Sequence, residues 1–296
     1  MNVFSSLVKR NVLIFFKDKG MFFTSLVTPA ILLVLYTTFL GGVFYDSFAM
    51  NLPTSTVLPD DLLDGLVGSQ LISSILSVSC ITVAFCSNFL MVQDKANGTY
   101  NDFRISPVKS STLSLAYYIA TLISTLLVCL TATAICLVYL SFVGFYMTAV
   151  DVLLLTADVF ILSLFGTALS SFVNLFLSSE GQISAVSAII NAGYGFICGA
   201  YMPLSTFGEG LRNAVAFLPG TYGTSLVKNH ALQGALNELQ EYGIPENVID
   251  SLKDSLDCNI YFFGTRVSVF VSYLVLTASI AILISAYVLL NKQKNK

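Results

Sequence analysis

The chain has 296 residues, of which 55% are hydrophobic and only 10% are charged, and its formal net charge is −3. This composition excludes an ordinary soluble globular protein. Several apolar runs exceed the roughly 20 residues that a helix needs to cross a hydrocarbon core of ~30 Å. The predicted fold class is therefore an all-α polytopic membrane protein.

The first element, residues 3–19 (VFSSLVKRNVLIFFKDK), has apolar residues at helical spacing with Lys9, Arg10, Lys17 and Lys19 beside them. This pattern predicts a basic amphipathic helix in the plane of the lipid headgroups. A simple extension of the first membrane span is the alternative.

Six long apolar segments follow, and we predict that each of them crosses the membrane. Their ranges are 21–43, 66–92, 112–142, 152–177, 183–200 and 267–290. Pro29 lies inside the first span and removes one backbone donor, so a kink is expected there. The third span is long enough to tilt or to protrude from the bilayer.

Residues 93–111 form a short charged island between the second and third spans. Its sequence mixes both signs of charge and is punctuated by Gly98 and Pro107. This chemistry is typical of a small docking element for a soluble partner. An ordinary cytoplasmic loop is the competing interpretation.

Basic residues indicate the orientation. With six spans, 10 of the 14 Lys and Arg fall on the side that holds both termini and the island, whereas 44–65 contains no Lys or Arg. The positive-inside rule therefore predicts cytoplasmic termini, a cytoplasmic island and an external connection over 201–266.

The connection over 201–266 begins with a Gly- and Pro-rich apolar stretch that carries Leu211, Val215 and Leu218 at helical spacing. We predict a short re-entrant or interfacial helix there, since broken backbone in a membrane must be covered by protein or water. The acidic stretch 237–257 predicts a solvated pair of outer helices.

Asp158 is the only ionisable side chain well within a predicted span. Such groups are costly and often functional, so Asp158 is a candidate path-lining residue; a hydrated position near the interface is equally compatible with the pattern. The only histidine, His230, falls in the predicted outer connection. We predict no catalytic residue and no metal site, and the cysteines suggest no disulfide framework.

The fifth span carries small residues on one face, which let another helix approach closely. They are Ala188, Ala192, Gly195 and Gly199. The neighbouring helix could belong to this chain or to a second copy.

The sequence contains no G-x-x-x-x-G-K-[ST] phosphate-binding loop. Any uphill transport must therefore draw its energy from a partner or from an ion gradient. Gradient-driven carriers usually display internal repeats and buried ion ligands, and beyond Pro29 and Asp158 this sequence shows little of either.

Several segments together resemble the membrane subunit of ABC-2 type ABC transporters, the permease group that shares its fold with ABCG and ABCA exporters. They are the basic N-terminal helix, the island D-K-A-N-G-T-Y…I-S-P-V, and the later runs I-C-G-A-Y-M-P-L and L-P-G-T-Y. The family's usual Glu-Arg at the start of the island appears here as Asp94-Lys95, which keeps the charges.

The resemblance implies a coupling helix that sits in a cleft of a separate cytosolic ABC ATPase, with a smaller contact at 178–182. The residues it assigns to coupling are Asp94, Lys95, Gly98, Thr99, Asp102, Arg104, Pro107, Glu180 and Gly181. It further implies an exporter in the plasma membrane with two permease copies, identical or different, and two ATPases that bind ATP and Mg²⁺. This chain itself would hold no cofactor and hydrolyse nothing; its other partners would be lipids, and nucleic acid is not expected.

Two other functions remain open on the sequence. One is a gradient-driven transporter with Asp158 as the proton or cation site, and the other is a membrane anchor or sensor that recruits a cytosolic protein through the island. The transported substrate cannot be read from the sequence.

Overall fold

A computed structural model describes residues 3–51 and 59–294. Over this part of the chain the protein is an all-α polytopic membrane protein with one small hairpin. The α-helices are α1 (Val3–Lys17), α2 (Lys19–Leu35), α3 (Gly41–Asn51), α4 (Asp60–Ala96), α5 (Thr99–Ile105), α6 (Ser110–Val143), α7 (Ala149–Asn174), α8 (Glu180–Ile197), α9 (Glu209–Val215), α10 (Pro219–Glu241), α11 (Glu246–Ser255) and α12 (Val269–Lys294). Strands β1 (Ile260–Phe262) and β2 (Thr265–Val267) pair antiparallel, with Tyr261 opposite Arg266.

Five helical segments are long and apolar enough to cross a membrane. They are Lys19–Asp46, Asp60–Ala96, Ser110–Val143, Ala149–Asn174 and Val269–Asn291. They overlap the first four predicted spans and the sixth. The first runs without a break through Pro29 and through a π-helical turn at Tyr36–Leu40. Helix α8, which covers most of the predicted fifth span, has only 18 residues and is not among the five.

Helix α4 is the centre of the fold: it is packed by α2, α6, α7, α8 and α10 and is buried along nearly its whole length. The close approach of α4 to its neighbours depends on small residues where they cross. A Cβ atom on Gly166 of α7 would lie 2.6 Å from the backbone oxygen of Cys80, and one on Gly144 would lie 2.5 Å from that of Asp61. Small residues at such crossings bring membrane helices into backbone contact.

The region 201–266 contains more structure than the short helix and the pair of outer helices that its sequence predicts. Helix α9 covers Leu211 and Val215 but ends before Leu218, and Pro219 then starts the 23-residue helix α10. Helix α10 packs on α4, α7 and α12, with Gly223 against Leu162 and Gly234 against the backbone of Tyr146. It therefore begins about halfway along α7 and runs back toward the N-terminal end of α7.

Candidate functional site

The charged island folds as a short helix between two long ones. Helix α4 ends at Ala96, and Gly98 adopts a left-handed conformation with φ of 82° just before α5 begins at Thr99. The amide groups of Asn101 and Asp102 then bind the carbonyl of Gly98 at 2.8 and 3.3 Å. Because side chains other than glycine rarely adopt this φ, Gly98 sets the angle at which α5 leaves α4.

Asp94 lies inside the protein at the end of α4 and is 5% exposed. Its two oxygens accept hydrogen bonds from the guanidinium of Arg10 in α1 at 2.6 and 3.0 Å, and Oδ2 also accepts from the hydroxyl of Tyr117 in α6 at 2.5 Å. The hydrogen bonds to Asp94 are the main reason why the pKa of Arg10 is raised above its usual value. The Arg10 guanidinium also lies 5.3 Å from the ring centre of Phe103 in α5. One ion pair thus joins α1, α4, α5 and α6.

The side chain of Lys95 points toward the residues just before the turn 178–182, the second segment that is predicted to face the cytoplasm. Its Nζ donates to the backbone oxygens of Asn174, Leu175 and Leu177 at 2.9, 3.3 and 3.1 Å. These carbonyls belong to the last turn of α7 and the residues just after it, where backbone acceptors lack partners within the helix and a cation is favourable. Lys95 therefore connects the island to the turn 178–182.

The turn 178–182 is held by a capping box at the start of α8. The backbone amide of Gln182 binds the hydroxyl of Ser179, and Gln182 Oε1 accepts from the amides of Ser178 and Ser179. Glu180 and Gly181 are exposed at this turn.

The outer face of α5 is polar, with one large apolar side chain. Asp102 and Pro107 are exposed, Thr99 is half-buried, and Ile105 is 87% exposed. Arg104 belongs to the same helix, and its side chain lies outside the described part of the structure. A short helix with an exposed isoleucine, braced at its base by buried Asp94 and half-buried Lys95, is suited to receive a partner and to pass a rigid-body displacement to α4 and α6.

A family model described as "ABC-2 type transporter" matches residues 2–229 of the chain. The chain belongs to the ABC-2 type transporter family. It is thus a transmembrane permease of an ABC transporter, as its motifs indicate. The curated proteins contain no match.

The structure places Asp158 of the permease in a buried cluster of three helices. Asp158 is 1% exposed, and its Oδ2 lies 2.5 Å from Nδ1 of His230 in α10, while its Oδ1 accepts a hydrogen bond from the hydroxyl of Tyr273 in α12. The alternative prediction, that Asp158 is hydrated near the membrane interface, is therefore wrong. Within the connection 201–266, His230 lies on helix α10 and not in an irregular loop, and α10 carries this side chain against α7.

The small-residue face of α8 divides into two parts. Ala188 and Ala192 are exposed, so no helix of the described part of the chain covers this half. The other half is used internally: Gly195 faces the ring of Tyr201, and Gly199, with φ of 75°, lies against Leu204 and Asp257.

The sequence indicated the island but not how its charges are used. Asp94 and Lys95 were assigned to contacts with an ATPase, and their side chains instead have partners inside the permease. Arg10 was read only as part of a basic helix face. Its pairing with a residue 84 positions away leaves no periodic signal, although a lone acid at the end of a long apolar run would have been reason to look for a cation.

Proposed function

We propose that this permease couples ATP hydrolysis by a separate cytosolic ABC ATPase to substrate export, with α5 as the main docking helix. The observation that carries this proposal is the contrast within the island: buried Asp94 and half-buried Lys95 bind partners inside the permease, whereas Asp102 and Ile105 are exposed. An exposed isoleucine beside a carboxylate offers an apolar anchor with a polar rim, which is the usual make-up of a protein contact. Glu180 and Gly181 supply the second, smaller contact.

Asp94 and Lys95 act in this mechanism as positioning residues. A force on α5 reaches α1 and α6 through Asp94, and it reaches α7 and α8 through Lys95. Gly98 fixes the joint between α4 and α5. The arrangement lets a movement of the ATPase act on several helices at once.

The transporter is proposed to contain two permease copies, identical or different, and two ATPases that hold ATP and Mg²⁺. Helix α8 serves as the fifth of six spans: at 1.5 Å per residue its 18 residues measure about 27 Å, close to the hydrocarbon thickness. Its exposed face at Ala188 and Ala192 is the proposed contact with the second copy. Both termini are proposed to be cytoplasmic, as the distribution of basic residues suggests. The plasma membrane is proposed as the location because the family resemblance implies it.

The test is capture of the ATPase through α5. A photo-crosslinking residue at position 101, which is exposed on α5, should link the permease to a protein that carries the G-x-x-x-x-G-K-[ST] loop and hydrolyses ATP. The double variant Asp102→Lys, Ile105→Asp should weaken this association by about tenfold or more, as expected for loss of a central anchor.

The matched control is Glu241→Lys, an exposed charge reversal at the far end of α10, which should leave capture unchanged. Normal capture by the α5 variant would reject the docking role. A carrier function would be supported instead if transport stopped in Asp158→Asn and also on collapse of the proton gradient at constant ATP.

A further inference from the structure

A second site lies far from α5, in a cavity of about 350 Å³ at the start of α10. Its walls come from three segments: the stretch around α9, the first turn of α10, and the β1–β2 hairpin with the residues before it. The polar lining includes Ser205, Arg212, Thr221, Asp254, Asn259 and Tyr261. Neither the island nor the Asp158 cluster contributes to this cavity.

The cavity presents one cation and one carboxylate. Within the described residues, Arg212 is half-buried and has no acidic side chain within 4 Å. Asp254 accepts hydrogen bonds from Asn259 at 2.7 Å and from the hydroxyl of Tyr261 at 3.0 and 3.1 Å, which fixes its orientation but leaves its charge unpaired. A carboxylate offers about four acceptor sites, so it retains capacity for a further donor.

Asp257, the other acid in the wall, is already neutralised. Its Oδ2 lies 3.3 Å from Nζ of the fully buried Lys228 and accepts from the amide of Leu204 at 2.8 Å. The uncompensated charges that face the cavity are therefore Arg212 and Asp254, which together match a zwitterion better than a simple anion or cation.

Residues that neighbour the cavity lining in the chain form an apolar and aromatic rim. Phe217 and Phe263 are 63% and 61% exposed, and with Phe262 they form edge-to-face pairs with ring centres 5.0–5.8 Å apart. Leu211 on α9 is 55% exposed. The hairpin that carries two of these phenylalanines is followed directly by the apolar segment Val269–Asn291, so the rim lies where that helix enters the membrane. Aromatic side chains are enriched at this depth.

We propose that this cavity binds the headgroup of a phospholipid with a primary amine, of the phosphatidylethanolamine class. The Arg212 guanidinium takes the phosphate, for which its planar set of donors is suited. The ammonium group donates to Asp254, and the acyl chains lie against the phenylalanine rim. A trimethylammonium headgroup cannot donate a hydrogen bond to Asp254, and a headgroup with only negative charge leaves Asp254 unpaired.

The experiment uses the full chain purified in detergent and titrated with lipid, with bound lipid counted by native mass spectrometry. We expect short-chain phosphatidylethanolamine to bind at least about tenfold more tightly than phosphatidylglycerol or phosphatidylcholine of equal chain length. Glycerophosphoethanolamine, which lacks the chains, and inorganic phosphate should bind much more weakly than the lipid. The proposal would be overturned if the unmodified protein bound the three lipids equally, or if it bound free phosphate as tightly as phosphatidylethanolamine.

Two variants test the residues. Arg212→Gln should weaken phosphatidylethanolamine binding about tenfold, and Asp254→Asn should abolish the preference over phosphatidylglycerol while the protein remains monodisperse. The control is Lys19→Gln, which removes an exposed cation at the opposite end of the molecule and should change neither quantity. Unchanged binding in both cavity variants would mean that the lipid binds outside this cavity. An equal loss in the control would mean that binding depends on surface charge in general. Either result overturns the proposal.

Discussion

Arg10 and Asp94 form the contact on which the base of α5 in the candidate site depends. A carboxylate that is 5% exposed is costly unless its charge is met by hydrogen bonds. Here it receives two from Arg10 and one from Tyr117. Because Arg10 keeps partial access to solvent, the pair is weaker than a fully enclosed one, and its main effect is to hold α1 against α4 and α6.

A double-mutant cycle measures this coupling. We expect Asp94→Asn and Arg10→Gln each to lower the thermal unfolding temperature, and the double variant to lose less than the sum, with a coupling free energy of about 1.5–3 kcal/mol. Lys9→Gln, an exposed neighbour on α1, is the control and should change little. Additive losses would mean that the two residues stabilise the protein independently.

At the scale of elements, the island and the turn after α7 behave as one unit because of Lys95. Its ammonium group spans three backbone oxygens between Asn174 and Leu177. The capping box at Ser179 then orients α8. The second contact region is thus held in place by a residue of the first.

Replacing Lys95 by Met keeps the length and apolar stem of the side chain but removes the charge and its donors. We expect amide hydrogen exchange over 175–183 to accelerate by about tenfold, which corresponds to a loss of about 1.4 kcal/mol in local opening free energy. Lys109→Met, at an exposed position on the other side of α5, should leave these amides unchanged. If exchange is equally slow in both variants, the capping box alone holds the turn.

The elements also explain which parts of the fold are accessible to sequence reasoning. Long apolar runs can be recognised by their length alone. Five helices with the properties of membrane spans lie where such runs were recognised. Helix α10 was not recognised as one continuous helix because the buried residues of its first two turns are mostly glycine, threonine and serine, whose pattern indicates a loop rather than a core. Its packing depends on close approach to α7, which tertiary structure reveals and periodicity does not.

The same limit applies to the site. Gly98 was recognised as punctuation within the charged island, and its φ of 82° shows a left-handed conformation that favours glycine. The inward orientation of Asp94 and Lys95 could not be predicted, because their partners come from α1 and α7, far away in the chain. The cluster of Asp158, His230 and Tyr273 was missed for the same reason.

At the scale of the whole molecule, the orientation in the membrane depends on the basic residues near the ends of the long helices. The α5 end and the α11 end are placed on opposite sides by this rule. Native cysteines do not complicate a labelling test, because all six are buried. Cys258, which lies outside the long apolar helices, is 3% exposed, and burial raises its pKa to about 12, so almost no reactive thiolate is present at neutral pH.

We therefore expect Asn247→Cys, at an exposed position on α11, to react with a membrane-impermeant maleimide in intact cells, and Asp102→Cys on α5 to react only after permeabilisation. The unmodified protein serves as the control and should remain unlabelled in both states, since its thiols are enclosed. Labelling of position 102 from outside would reverse the orientation and place α5 out of reach of a cytosolic ATPase. Labelling of both positions from outside would instead require an even number of spans between them, two or four in place of the proposed three, and would remove the parity on which cytoplasmic termini depend.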